Sequence, residues 1–254
     1  MIRSRVWVLP EPGRPVIPIL TGGESRRGMR SRPLGCVVRV EPIRRHRGDT
    51  PLPSSTAGDP EPSNGETAVY PAREDTRLLL PFAEVPRGTR LIEVGTGNGL
   101  AALTAARCGA RVVATDLNPH ALRSLRRRAR AEGADLELVR TDLARGLGRF
   151  DRLLANPPYL PTRPEERDLD RWHNLALDGG PDGCRVTARL VAELDQHLTP
   201  GGAAFLVVST VQDAAALARI WRDWTNRGGT AEVADFRPLE GEKLEVWRLG
   251  LGPG

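Results

Sequence analysis

The chain has 254 residues, 39% hydrophobic and 27% charged, with a net charge of +5. That composition suits one soluble core and excludes a bilayer span, since no apolar run approaches about 20 residues. Three scattered cysteines, Cys36, Cys108 and Cys184, argue against a disulfide framework and a zinc site and for a reducing cytoplasm.

Residues 1–66 are rich in Pro, Gly, Ser and Arg, with short apolar islands at 6–9, 16–20 and 36–40. Pro10, Glu11 and Pro12 interrupt any signal-peptide core. Prolines 51, 53, 60 and 62 make the stretch before Glu66 read as a linker. The expectation is a loosely packed extension, with a start codon placed too far upstream or a recognition module as alternatives. This extension also holds most of the charge excess. It carries 11 arginines against 7 acids, leaving 26 basic and 25 acidic residues in 67–254. A domain that reads nucleic acid should carry the excess on its own face, so the basicity is weak evidence for such a partner.

From residue 67 the texture becomes alternating strands and helices. An apolar strand at 90–94 runs into a Gly-rich turn and an Ala-rich helix at 100–108. A strand at 111–115 follows, then a helix at 119–132 with Asn118 as its N-cap. Strands are expected at 136–139 and 151–155, the latter ending in Asn156-Pro157-Pro158-Tyr159. After a long loop come a helix at 184–197, a break at Thr199-Pro200-Gly201-Gly202, a strand at 203–209 and a helix at 211–227. Strands at 230–236 and 244–249, joined by a hairpin-length turn, close the chain as an antiparallel pair. Continuous apolar strands alternating with helices predict an α/β, doubly wound, seven-stranded Rossmann-like sheet, mostly parallel with an antiparallel C-terminal hairpin.

The turn Glu93-Val94-Gly95-Thr96-Gly97-Asn98-Gly99 lets a ligand lie against bare main chain. A dinucleotide fingerprint wants a further Gly at position 100, where Leu100 stands. Glu93 would repel a pyrophosphate but attract the ammonium of S-adenosylmethionine. Asp116 is placed for the two ribose hydroxyls, or merely starts the turn before Asn118. Asp142 is placed for the adenine amino group, or caps a short turn, and Leu117 and Leu143 would sandwich the ring.

Asn156-Pro157-Pro158-Tyr159 falls at the carboxyl end of a strand, where open α/β sheets bind ligands. An amide or exocyclic amino nitrogen has its lone pair delocalised and is a poor nucleophile. The Asn156 side-chain oxygen and the Pro157 carbonyl would grip its two N–H bonds and stabilise the charge that grows on nitrogen. Proline stiffens the loop, and Tyr159 offers a flat stacking face. An ordinary Asn-Pro turn is the bland alternative.

With these residues, the chain resembles the HemK/PrmC-type methyltransferases, which modify the glutamine of the Gly-Gly-Gln motif in class-1 release factors, and is most similar to their short archaeal and eukaryotic branch. The resemblance covers roughly residues 67–249. It rests on Val69-Tyr70, Glu74-Asp75-Thr76, Leu78-Leu79-Leu80, the Gly-rich turn, Asp116, Asp142, Asn156-Pro157-Pro158-Tyr159-Leu160-Pro161 and Ala176-Leu177-Asp178-Gly179-Gly180-Pro181-Asp182-Gly183. It implies that Asp75 and Thr76 line the substrate and cofactor pocket, where the residues alone suggest a helix N-terminus. It also implies a release factor as substrate and a small zinc-binding activator subunit as partner. The chain departs from the family where Pro71-Ala72-Arg73 follows Tyr70, and where Cys184 stands one place before Arg185. The same site geometry would accept an adenine N6 or guanine N2 of RNA or DNA, with Arg123, Arg126, Arg127, Arg128 and Arg130 as a phosphate stripe or simply a solvated face. A protein lysine is a further alternative. A non-catalytic scaffold is disfavoured by the intact Asn156–Tyr159 motif.

Overall fold

A computed structural model describes Val69 and residues 73–251. The expectations for residues 1–66, the Tyr70-Pro71-Ala72 segment and Cys36 lie outside the described residues.

The described chain begins with a short helix, α1 (Glu74–Leu79), and a 3-10 turn at Leu80–Ala83. Then follow β1 (Arg90–Val94), α2 (Leu100–Arg107), β2 (Arg111–Asp116), α3 (Pro119–Glu132), β3 (Glu137–Arg140) and β4 (Phe150–Ala155). The remainder is α4 (Arg171–Leu177), α5 (Arg185–His197), β5 (Leu198–Ser209), α6 (Ala214–Asn226), β6 (Gly229–Leu239) and β7 (Glu242–Leu251). The strands form one seven-stranded sheet in the order β3-β2-β1-β4-β5-β7-β6. All pairs are parallel except those of β7, which runs antiparallel to both β5 and β6.

Side chains on successive strand residues enter opposite cores. Leu91 of β1 packs with α2, α3 and the α1 segment, whereas Ile92 packs with α5 and α6. In β5, Phe205 and Val207 face the first cluster and Leu206 and Val208 the second. Burial on both faces explains the unbroken apolar runs.

Three boundaries differ from the sequence reading. The Thr199-Pro200-Gly201-Gly202 break is absorbed into β5, because its pairing with β4 slips between Phe150 and Arg152 rather than ending. The last two strands extend further than the apolar pattern indicates, since an exposed edge strand such as β6 needs no apolar face to pair. The helix expected from 211 starts only at Ala214, where the Asp213 carboxylate accepts the Ala216 N–H at 2.6 Å. Asn118 caps α3 as expected, accepting the His120 N–H at 2.9 Å.

Strand order reverses around β1. The chain steps outward to β2 and β3, then crosses back so that β4 lies on β1's other side. Val94 and Ala155 are register partners, so the Gly-rich turn and the Asn156 loop leave the sheet side by side. Adjacent strands lie about 4.8 Å apart, which opens one crevice between the two turns.

Candidate active site

A cleft of about 330 Å³ occupies this switch point. On one wall it is lined by Glu93 and residues 95–98, by Asp116 and Leu117, and by Asp142 and Leu143. On the other stand Asp75, Thr76, Asn156, Pro157, Pro158 and Tyr159. The residues picked from sequence thus converge on one cavity, with Gly99 as the exception. Gly99 is the left-handed N-cap of α2, and a Cβ there would lie 2.4 Å from a Leu125 methyl. Its job is close packing of turn against α3, a role that spacing alone does not separate from ligand contact.

The first wall is held from within. Glu93 is buried, and its Oε2 accepts the Thr96 hydroxyl at 2.6 Å and the Ala102 N–H at 3.0 Å. Burial raises its pKa from 4.5 to about 7 despite those bonds. Asp116 accepts the Gly97 N–H at 2.9 Å and the Asn118 N–H at 2.8 Å, bracing the turn against the start of α3. Burial raises the Asp116 pKa as well. Thr96 N–H donates to Thr115 O at 2.8 Å, and Arg128 donates to Asn98 O. Asp142 is tied to Arg189 of α5 at 2.5 Å, an ion pair from the segment after β3 that local reading missed. Leu143 takes a left-handed φ of 53°, and its carbonyl accepts the Thr115 hydroxyl at 2.9 Å.

The second wall is built differently. Asn156 Oδ1 is buried and has no hydrogen-bond partner among the described residues. An orphaned buried acceptor costs about 1–3 kcal/mol and persists only where the surroundings fix it. Pro157 and Pro158 stiffen the backbone here, and Gly183 packs beneath. Gly183 has φ +71°, and a Cβ on it would meet Tyr159 O at 2.4 Å. The Tyr159 hydroxyl donates to Asp75 Oδ2 at 3.3 Å, joining the loop to α1. Leu160 makes a parallel bridge with Asp178, whose carboxylate pairs with Arg167 at 2.9 Å and Arg185 at 3.0 Å. Arg185 therefore serves this segment although Cys184 precedes it.

Sequence reasoning missed Trp172, Arg189 and Glu242, which also line the cleft. Trp172 sits on α4, inside what reads as a long loop. That helix is seven residues long and buries none of them fully, so it leaves no apolar period. Its ring lies under the Arg171 guanidinium at 3.9 Å and edge-on to His120.

A cofactor with a cation at one end and a flat ring at the other fits the first wall. Glu93 is a buried carboxylate without an ion-paired cation among the described residues, and Leu117 and Leu143 supply apolar surface beyond Asp116. Among the described residues no helix is long and apolar enough to cross a membrane.

Comparison with known proteins places the chain in a family. The family model described as the methyltransferase small domain matches residues 72–175. Methyltransferase HEMK2 of Mus musculus is 34% identical over 194 residues, covering 71% of this chain and 89% of the mouse protein. A release factor glutamine methyltransferase of Deinococcus radiodurans is 41% identical over 148 residues, 55% of this chain and 53% of that protein. The chain therefore spans nearly all of the mouse relative but about half of the bacterial one. The E. cuniculi Mtq2–Trm112 complex, described as responsible for methylation of the eRF1 translation termination factor, superposes with a TM-score of 0.56. That match has 25% identity and covers 73% of this chain and 99% of the other.

Proposed function

We propose an acceptor and a chemistry for this chain from one premise: it belongs to the HemK-type family of S-adenosylmethionine-dependent methyltransferases. The acceptor is the side-chain amide nitrogen of the glutamine in the Gly-Gly-Gln motif of a class-1 release factor, in the cytoplasm. The single observation that carries this reading is Asn156, which lines the cleft beside the Gly-rich turn and bears a buried side-chain oxygen with no partner among the described residues.

Glu93 would hold the cofactor's ammonium, Asp116 its ribose hydroxyls, and Leu117 and Leu143 its adenine, with Asp142 at the ring's edge. Bound there, S-adenosylmethionine supplies an electrophilic methyl group. This chain's own residues do the rest by placement. Asn156 Oδ1 accepts one N–H of the acceptor amide and the Pro157 carbonyl the other, which orients the nitrogen and stabilises the charge it gains. Tyr159, steadied by Asp75, stacks on the planar group. The nitrogen becomes acidic as it is alkylated, so its proton leaves without a strong base. A small partner subunit would match the two-chain assembly of the Mtq2–Trm112 complex.

The test is transfer of labelled methyl to the cognate release factor and to its Gly-Gly-Gln Gln→Ala variant, with and without a small partner subunit. Label confined to the intact motif is expected; equal labelling of both proteins, or labelling of RNA instead, overturns the reading.

A further inference from the structure

We infer that Glu242 is a recognition residue for the acceptor polypeptide, its carboxylate accepting main-chain N–H groups beside the methylated side chain. The inference rests on the peptide reading above. Glu242 lies at the first position of β7, and β7 pairs with β5, which pairs with β4. The β6–β7 hairpin tip therefore reaches the same edge of the sheet as Asn156, and Glu242 lines the same cleft.

The carboxylate is held in place. The hydroxyl of Ser209, itself 1% exposed, donates to Glu242 Oε2 at 2.6 Å. Ser209 is fixed in turn, its N–H donating to Gln212 Oε1 at 2.9 Å and its Oγ accepting the Val211 N–H at 3.2 Å. Gln212 is buried and donates to Gly183 O at 2.8 Å, so this brace also reaches the residue packed under Tyr159. Lys243 exchanges bonds with Thr210, at 2.9 and 3.0 Å, and locks the strand start. Glu242 forms no ion pair among the described residues, while the neighbouring Lys243 is engaged with Glu245 at 2.6 Å.

A half-buried carboxylate with one neutral donor calls for further donors. The acceptor side of the cleft carries the Asn156-Pro157 loop and the carboxylates of Asp75 and Glu242, with Arg73 as a lining cation. That set suits a peptide segment, rich in N–H groups and without phosphates, better than a polyanion. A glycine-flanked glutamine exposes its main-chain N–H groups without side chains in the way, and a charged acceptor binds them more strongly than a neutral one.

The experiment compares wild type, Glu242→Gln and Ser209→Ala on the same release factor, recording KM, kcat, cofactor affinity and melting temperature. Glu242→Gln should raise the KM for the release factor about five- to tenfold, with kcat and cofactor affinity within about twofold. Ser209→Ala, which frees the carboxylate without removing its charge, should show a smaller rise in KM. An unchanged KM in Glu242→Gln, while wild type methylates the protein, refutes this inference alone. Lowered melting temperature with KM unmoved makes Glu242 a hairpin brace and also refutes it. No methylation of the release factor by wild type sinks the acceptor reading, and this inference with it.

Discussion

The two walls of the cleft satisfy their polar groups in opposite ways. On the glycine-turn wall, one oxygen of Glu93 and both of Asp116 accept bonds from the protein's own N–H and hydroxyl groups. On the Asn156 wall, a buried oxygen is left with no partner among the described residues. The first wall is braced by its own bonds yet keeps a carboxylate without an ion-paired cation among the described residues; the second is rigid but leaves an acceptor unmet. The proposed roles of the two walls are correspondingly distinct. Substitutions on one wall should change cofactor binding and those on the other should change turnover.

The sharpest way to break that separation is Asn156→Ala. It should lower kcat about 10²–10³-fold, the scale of losing one charge-stabilising group, with cofactor affinity nearly unchanged by calorimetry. The melting temperature should not fall, because the change removes an orphaned buried oxygen rather than a bonded one.

Glu93 tests the opposite wall through pH. Its folded pKa of about 7 lies above 4.5, so the folded state keeps its proton longer than the unfolded chain does. The ligand-free protein should therefore lose stability as pH rises from 4.5 to 7, by about 3 kcal/mol at most, and change no further above that. A cationic cofactor needs the ionised form, so its affinity should climb about tenfold per pH unit below 7 and level off above. Glu93→Gln should flatten both profiles and weaken cofactor binding at pH 8, read by calorimetry and thermal melts. A pH-independent wild type would contradict the assigned role.

Gly183→Ala pushes a methyl into Tyr159 O from a backbone conformation that alanine disfavours. Turnover should drop about tenfold while cofactor affinity holds. Tyr159→Phe is the mildest probe: losing the long bond to Asp75 should cost about two- to fivefold in kcat, measured at saturating cofactor.

The glycine-turn wall was legible in the sequence because its determinants are local. Strand, Gly-rich turn and helix are contiguous from Arg90 to Arg107, and Asp116 ends the next strand. The Asn156 loop was legible for the same reason. What local patterns do not carry is partnership across the fold. Arg189 meets Asp142 across 47 residues and Ser209 meets Glu242 across 33, and neither spacing leaves a periodic trace. Helix α4 was hidden by its shortness and partial exposure. Gly99 reads as a ligand contact although it packs against Leu125, since a tight helix–turn approach and a ligand approach both demand glycine.

The proposed chemistry depends on two oxygens, Asn156 Oδ1 and the Pro157 carbonyl, gripping the acceptor amide. A crystal structure of the protein with a glutamine-containing release-factor loop and a non-reactive cofactor analogue tests it directly. The glutamine side-chain nitrogen should lie about 3 Å from both oxygens, with Tyr159 against the amide plane. A glutamine bound elsewhere, with Asn156 Oδ1 still unpartnered, would contradict it.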